Sequence, residues 1–382
     1  MSKLFSSVTL GEVTLANRVM ISPMCQYSAI DGVAQAWHRV QYGRLAMGGA
    51  GLVMVEMTLV SPEGMGTAGD LGLWNDEQEA ALAEVAATIR KLGAKPAIQL
   101  GHTGRKGATQ RPWHGGMPLS AVDLEVRGEQ PWPIVAPSAI PMSADRVTPR
   151  ALSLEDIDRI RRDFVQAARR ALRAGFDVIE IHAAHGYLLH QFVSPISNHR
   201  ADEYGGDLAR RIRLPVEITQ EIKALMGRKN ALFVRMSVTD GVAEGHGVPE
   251  SVTFAQALKA AGADVIDCSS GGLIGTASNS RSARSRGFQV PLARAIREGA
   301  DVSTVAVGLI LDGPQAEAVL KDGSADLIAV GRSALDDPNW PLHARQTIDG
   351  PGFEHWPPQS GWWLERRAAL LSSTQRGMSP LE

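Results

Sequence analysis

The chain has 382 residues, with 39 lysines and arginines against 41 aspartates and glutamates and a formal net charge of −2. Charge so nearly balanced offers no field to nucleic acid or an anionic membrane surface, and no apolar run reaches the roughly 18 residues of a membrane span. Its two cysteines, Cys25 and Cys268, are too few for a disulfide framework, an iron–sulfur cluster or a zinc ribbon, and the N-terminus has no basic-then-apolar leader pattern; a cytoplasmic enzyme acting on a small molecule is expected.

The first β-branched run, VMISPM at residues 19–24, reads as a buried strand. A phrase then begins to recur. MGGAGLVMVE from Met47 is followed by KLGAKPAIQL from Lys91, RAGFDVIEIH from Arg173 and AAGADVIDCS from Ala260. REGADVSTVAVG from Arg297 and KDGSADLIAVG from Lys321 repeat it again. Each time an amphipathic run ends in glycine, which accepts the left-handed conformation that closes a helix, and a Val/Ile-rich strand follows. ALFVRMS at residues 231–237 completes eight strands. Helices are predicted between them, among others at 77–92, 153–174 and 208–226, with Ser153 of SLED as an N-cap followed by acids.

Eight alternating units predict an α/β fold, a (β/α)8 TIM barrel over about residues 19–349, in preference to an open doubly wound sheet. Residues 1–18 are left as an N-terminal cap, 103–150 as a long loop after strand three and 350–382 as a C-terminal tail, all within one domain, 1–382. A loop as long as 103–150 is usually functional.

Barrel active sites lie at the carboxyl ends of the strands, and the unusual residues sit there. EIHAAHGYL places His182 and His185 just past strand four, where two imidazoles can converge on one anion or carbonyl oxygen, with Tyr187 offering a phenolic proton. The same stretch permits a zinc reading through Glu180, His182 and His185, which would make a metal-dependent barrel hydrolase, or two satisfied histidines in a buried turn. Strands seven and eight both end in Val-Gly, at Gly308 and Gly331, and Arg332 follows; this pattern suits a phosphate-bearing cofactor. Arg235 lies inside an apolar run, where a cation is costly unless it faces an anion or a structural ion-pair partner. Gln99 can pair its amide with a ring imide. Cys25 follows Pro23 and Met24 on strand one, where inert packing is the ordinary role of a cysteine.

SPMCQY, Trp37-His38, QLGHTGRK, Ala136-Pro137-Ser138, HAAHGYLLHQFVSPISNHRADEYGG, VRMS and VGR occur in one order along nearly the whole chain. With them the chain resembles the old yellow enzyme family of FMN-dependent ene-reductases, in the bacterial branch of xenobiotic reductases and thermophilic-like members. The resemblance implies FMN as cofactor, NAD(P)H as reductant with NADPH favoured, and ping-pong hydride transfer through flavin N5 to the activated C=C bond of an enone. Nitrate esters or nitroaromatics are alternative acceptors on the same scaffold.

By the same resemblance, Pro23, Met24, Cys25 and Met57 lie along the flavin, Gln99 binds its pyrimidine edge, and Arg235 faces N1 and O2. Gly308, Gly331 and Arg332 hold the phosphate. His182 and His185 bind the substrate oxygen, Tyr187 donates the proton and Tyr27 lines the pocket, with no metal involved. A homodimer or homotetramer is implied, with Arg366 entering a neighbouring subunit's site and Trp363 lining the substrate cavity. Met57 departs from the small residue usual at its position.

Overall fold

The computed structural model describes residues 2–227, 229–274 and 284–377. The eight expected strands are present as β1 (Val19–Ile21), β2 (Leu52–Leu59), β3 (Lys95–Gly101), β4 (Val178–Ala183), β5 (Ala231–Ser237), β6 (Val265–Ser269), β7 (Ser303–Ala306) and β8 (Leu327–Val330). Each runs parallel to the next, and β8 pairs with β1 through Ile328–Val19 and Ala329–Met20. The sheet is therefore closed, which removes both edges and settles the choice against an open doubly wound sheet.

Helices α1 (Ala36–Met47), α2 (Asp76–Lys91), α3 (Leu154–Arg173), α4 (Arg213–Leu225), α5 (Val248–Ala260), α6 (Val290–Ala300), α7 (Gly313–Lys321) and α8 (Trp340–Asp349) surround the sheet, and α9 (Pro358–Gly377) forms the tail. The start of α3 matches the expected cap: Ser153 Oγ accepts from the Asp156 amide at 3.1 Å, and the Asp156 carboxylate takes the Ser153 amide at 3.0 Å. The helix expected over 208–226 instead divides at Ile212 into Leu208–Arg211 and α4. Pro215 explains the break, since it lacks an amide proton and its ring excludes the carbonyl four residues back.

Strand alternation separates two cores. Met20, Met54, Ala97, Val178, Ala231, Phe233, Val265, Val305 and Leu327 point inward and pack with Leu10, Val13 and Leu15. The last three come from an antiparallel hairpin, Val8–Leu10 with Val13–Leu15, which plugs the floor as the N-terminal cap. The outward residues, such as Val53, Ile98, Ile181 and Val234, pack against the helices. Among the described residues no helix is long and apolar enough to cross a membrane.

Candidate active site

Moving up the strands from that floor, the inward positions change chemistry within one layer. Gln99 on β3 stands opposite Glu180 on β4, and Arg235 on β5 opposite Asp267 on β6. Gln99 Nε2 donates to Glu180 Oε1 at 2.7 Å, and Arg235 Nε lies 3.3 Å from Asp267 Oδ2. All four side chains are buried. Burial, reinforced by Asp267, pushes the Glu180 carboxyl up to about 8, and burial also raises Asp267 against the opposing pull of Arg235. Two buried carboxyls facing one guanidinium thus resist ionising together.

The end of β2 follows a different rule. Pairing with β3 passes from Val55–Ile98 to Thr58–Leu100, so Glu56 and Met57 together oppose a single residue. This β-bulge re-aims both side chains. Glu56 turns toward α1, where the Tyr42 hydroxyl donates to it at 2.6 Å and the Gln26 amide at 2.9 Å. Burial holds its carboxyl up at about 8. Met57 turns inward over Gly101, where a Cβ would come within 2.6 Å of its Cγ. The departure at Met57 is thus matched by the absence of a side chain beneath it.

One turn higher lie the two histidines. The Ala184 amide donates to His182 Nδ1 at 3.2 Å, which leaves the His182 proton on Nε2, 3.3 Å from His185 Nδ1. His185 Nε2 is 2.6 Å from Ser269 Oγ, a hydroxyl that can donate or accept, so His185 can carry its proton on either nitrogen. Burial, with the nearby Arg235 cation, holds both imidazoles well below the usual histidine range. They are neutral rings. The Tyr187 ring stands edge-on to His182 at 5.0 Å, and burial raises its phenol above the ordinary range.

His185, Tyr187, Cys25, Tyr27 and Met57 share the wall of one cavity of about 500 Å³. Tyr27 adopts a left-handed backbone (φ 52°) and meets Trp113 edge-on at 5.6 Å, so the 103–150 excursion forms the opposite wall. That excursion is fastened by ion pairs from Arg111 to Glu129 and from Arg127 to Asp123. Burial, with Asp70 and Glu56 adding to it, keeps Cys25 a thiol.

Pro23 and Met24 continue from β1, and Met24 approaches Gly331 at the end of β8, with Sδ 3.7 Å from where a Cβ would stand there. Gly308 follows β7 with φ 114°, and a side chain there would strike Gln289 and Phe288 at 2.9 Å. Arg332 opens the short helix Arg332–Asp336 and is exposed. Trp363 and Arg366 lie apart from the cavity within this chain. Trp363 is exposed, and Arg366 stacks on Trp362 at 3.7 Å beside Phe353 and Trp356 in a groove of the tail.

The zinc reading of Glu180, His182 and His185 does not find a ligand set, because Glu180 is engaged by Gln99 in the layer below the histidines. Among the described residues the group that draws together is His190, Asp240 and His246. There the Gly186 amide donates to His190 Nδ1 at 2.8 Å, so the ring proton sits on Nε2, which faces Asp240 at 2.8 Å. A protonated nitrogen cannot bind a cation. Burial opposes ionisation of Asp240, but its bonds to His190 and His246 outweigh this and hold its carboxyl below the usual range. The triad anchors Gly186, and so the turn carrying His185 and Tyr187.

Sequence reasoning missed Asp70 and the cavity-wall cations Arg105, Lys106 and Arg146. The adjacent pair in QLGHTGRK was the available signal for two of them.

Residues 3–350 match the NADH:flavin oxidoreductase / NADH oxidase family. The chain belongs to that family, the old yellow enzymes. It is 43% identical to an NADPH dehydrogenase of Bacillus subtilis (strain 168) over 338 residues, covering 88% of this chain and 92% of the relative. An NADPH dehydrogenase of Listeria monocytogenes serotype 4a is 43% identical over 357 residues, 92% of this chain and 98% of that one. Morphinone reductase in complex with tetrahydroNAD superposes with a TM-score of 0.73 at 28% identity, covering 91% of each chain.

As an old yellow enzyme the protein is an oxidoreductase with FMN as cofactor and a nicotinamide as reductant. The barrel mouth fits FMN chemically. Ser22 Oγ, just past β1, is buried without a hydrogen-bond partner, and Arg235 Nε faces Asp267 as an ion pair without making a hydrogen bond; an electron-rich flavin edge offers acceptors to both side chains.

Proposed function

We propose that this old yellow enzyme reduces the activated C=C bond of α,β-unsaturated carbonyl compounds, using NADPH ahead of NADH. The observation that carries this reading is that His185 and Tyr187 line the cavity bordered by Cys25, with His182 packed edge-on against both rings. Bound FMN supplies the hydride exchange. The His182 Nε2 proton points at the space shared with His185; when His185 carries its proton on Nδ1, with Ser269 Oγ donating to Nε2, both rings offer N–H groups to one carbonyl oxygen. Neutral rings suit this work, since they donate without surrendering a proton.

Tyr187 stays protonated through the neutral range and gives its proton to the carbon next to the carbonyl. In this reading Gln99 holds the flavin's pyrimidine edge and Arg235 its electron-rich end. Pro23, Met24, Cys25 and Met57 border the ring system. Gly308, Gly331 and Arg332 hold the phosphate, and Tyr27 lines the substrate side. Trp363 and Arg366, far from the cavity of their own chain, serve the site of a second copy in a homodimer or homotetramer. The name of the Bacillus relative supports the NADPH preference.

The test is anaerobic. The purified protein's flavin band should bleach with NADPH and recover when cyclohexenone or maleimide is added. Bleaching without recovery on either acceptor would remove the ene-reductase reading and turn attention to nitroaromatics and nitrate esters.

A further inference from the structure

We propose that the cavity wall holds an anion-binding subsite, formed by Arg105, Lys106 and Arg146, for a carboxylate or phosphate carried by the cavity's occupant. It deepens the preceding reading by naming the charge of the substrate, and it rests on that reading only for the identity of the carbonyl partner.

Arg105 and Lys106 follow β3 in a single tight turn, and Arg146 arrives from the returning limb of the excursion; all three line the same cavity. Their hydrogen bonds go to neutral acceptors. Arg105 Nη1 donates to the Ile140 carbonyl at 3.2 Å and Nη2 to that of Leu273 at 3.1 Å. Lys106 Nζ donates to the carbonyls of His185 and Gly272, each at 2.9 Å. Arg146 Nη1 donates to the Gly116 carbonyl at 2.8 Å. Among the described residues no carboxylate stands within ion-pair reach of these cations, although arginines elsewhere in the chain are paired repeatedly.

The Nε atoms of Arg105 and Arg146 are, in addition, buried without any hydrogen-bond partner. Among the described residues Asp70 is the sole acidic side chain on the cavity wall. Its oxygens already accept from the Gly66 and Thr67 amides and from Thr67 Oγ1, at 2.8, 3.0 and 2.9 Å. Burial raises its carboxyl, so it is a poor counter-charge.

The three cations repel one another, and Asp240, the carboxylate whose field reaches Arg105, is already committed to His190 and His246. Burial, together with Arg105 and Arg146, brings Lys106 down to about 8. A cavity that concentrates positive charge with no carboxylate paired to it recognises an anion. Lys106 also grips the backbone of His185 and lies 5.2 Å from the Tyr187 ring centre, which sets the anion a few bonds from the carbonyl-binding pair. The chemistry fits either an acidic substituent on the acceptor or a phosphate of the nicotinamide dinucleotide.

The holoenzyme separates these sources. In stopped-flow, a maleimide bearing a carboxylate arm should reoxidise the flavin with a kcat/KM about tenfold above that of its methyl ester, and added salt should erode the difference. Arg146→Met should abolish that preference and Arg146→Lys retain it. If Arg146→Met instead weakens NADPH in the reductive half-reaction and leaves the acid-to-ester ratio intact, the anion is the dinucleotide's phosphate. Calorimetric binding of benzoate against benzamide repeats the comparison without turnover. Should neither maleimide react, the enone reading fails, and the benzoate preference with its loss in Arg146→Met still decides the subsite. Unchanged acid preference, NADPH affinity and benzoate binding in Arg146→Met would overturn the proposal and leave these cations as anchors of the loop backbone.

Discussion

At the floor of the barrel, Val178 and Phe233 point inward against Leu10, Leu15 and Met54 in one apolar cluster. Two residues further along the same strands, Glu180 and Arg235 point inward, and two beyond Glu180 stands His182. The strands, their spacing and their direction are shared; only the side chains differ. The floor is satisfied by its own packing and needs no ligand. The mouth holds buried polar atoms without hydrogen-bond partners, among them Ser22 Oγ and the Nε atoms of Arg105 and Arg146. Burying such groups costs free energy that packing at the floor must offset, and a bound cofactor or substrate recovers it. Stability is concentrated at one end, chemistry at the other.

This division can be broken by substitution at either end. Tyr187→Phe should slow acceptor reduction by about 10²- to 10⁴-fold, the usual contribution of a placed proton donor, while flavin reduction by NADPH stays near that of the parent. Equal loss in both half-reactions would refute the assigned donor. Phe233→Ala at the floor should lower unfolding free energy by about 3–5 kcal/mol in denaturant titrations. The surviving folded fraction should keep its ratio of half-reaction rates, and a selective loss of one half would show that the two ends are not separable.

A smaller effect is expected from His182→Ala, which removes one charge-assisted donor and should weaken phenolate binding by about tenfold; unchanged affinity would count against the contact. The smallest effect sharpens the argument about neutral rings. Because His182 and His185 are held well below the usual value of 6.5, they gain protons only in stronger acid. Cyclohexenone affinity should therefore be flat between about pH 5.5 and 7. An inflection near 6.5 would show that one ring titrates normally.

The eight strands were legible because a barrel strand buried on both faces leaves a continuous Val/Ile-rich run after each helix-closing glycine. The histidine turn was legible because two imidazoles and a phenol at a strand end have few innocent explanations. The bulge at Glu56 and Met57 was not, since plain alternation would send Glu56 inward, and only pairing with β3 shows the extra residue. Pro215 carried its own signal, a ring inside an otherwise continuous helical pattern.

The cation cluster was hidden for another reason. Arg146 stands 40 positions from Lys106 along an irregular loop, and no periodicity reports where such a loop returns. His190, Asp240 and His246 are likewise assembled by tertiary structure alone. In the tail, Arg366 lies in a groove of its own and Trp363 is exposed, both apart from the cavity of their chain.

The central claim is that the unsatisfied mouth of this barrel exists to hold a flavin between the guanidinium of Arg235 and the paired imidazoles. Denaturing the freshly purified protein and analysing the released chromophore tests it most directly. The account predicts about one FMN per chain, or uptake to that level on reconstitution; a protein that releases none and takes up none would contradict it.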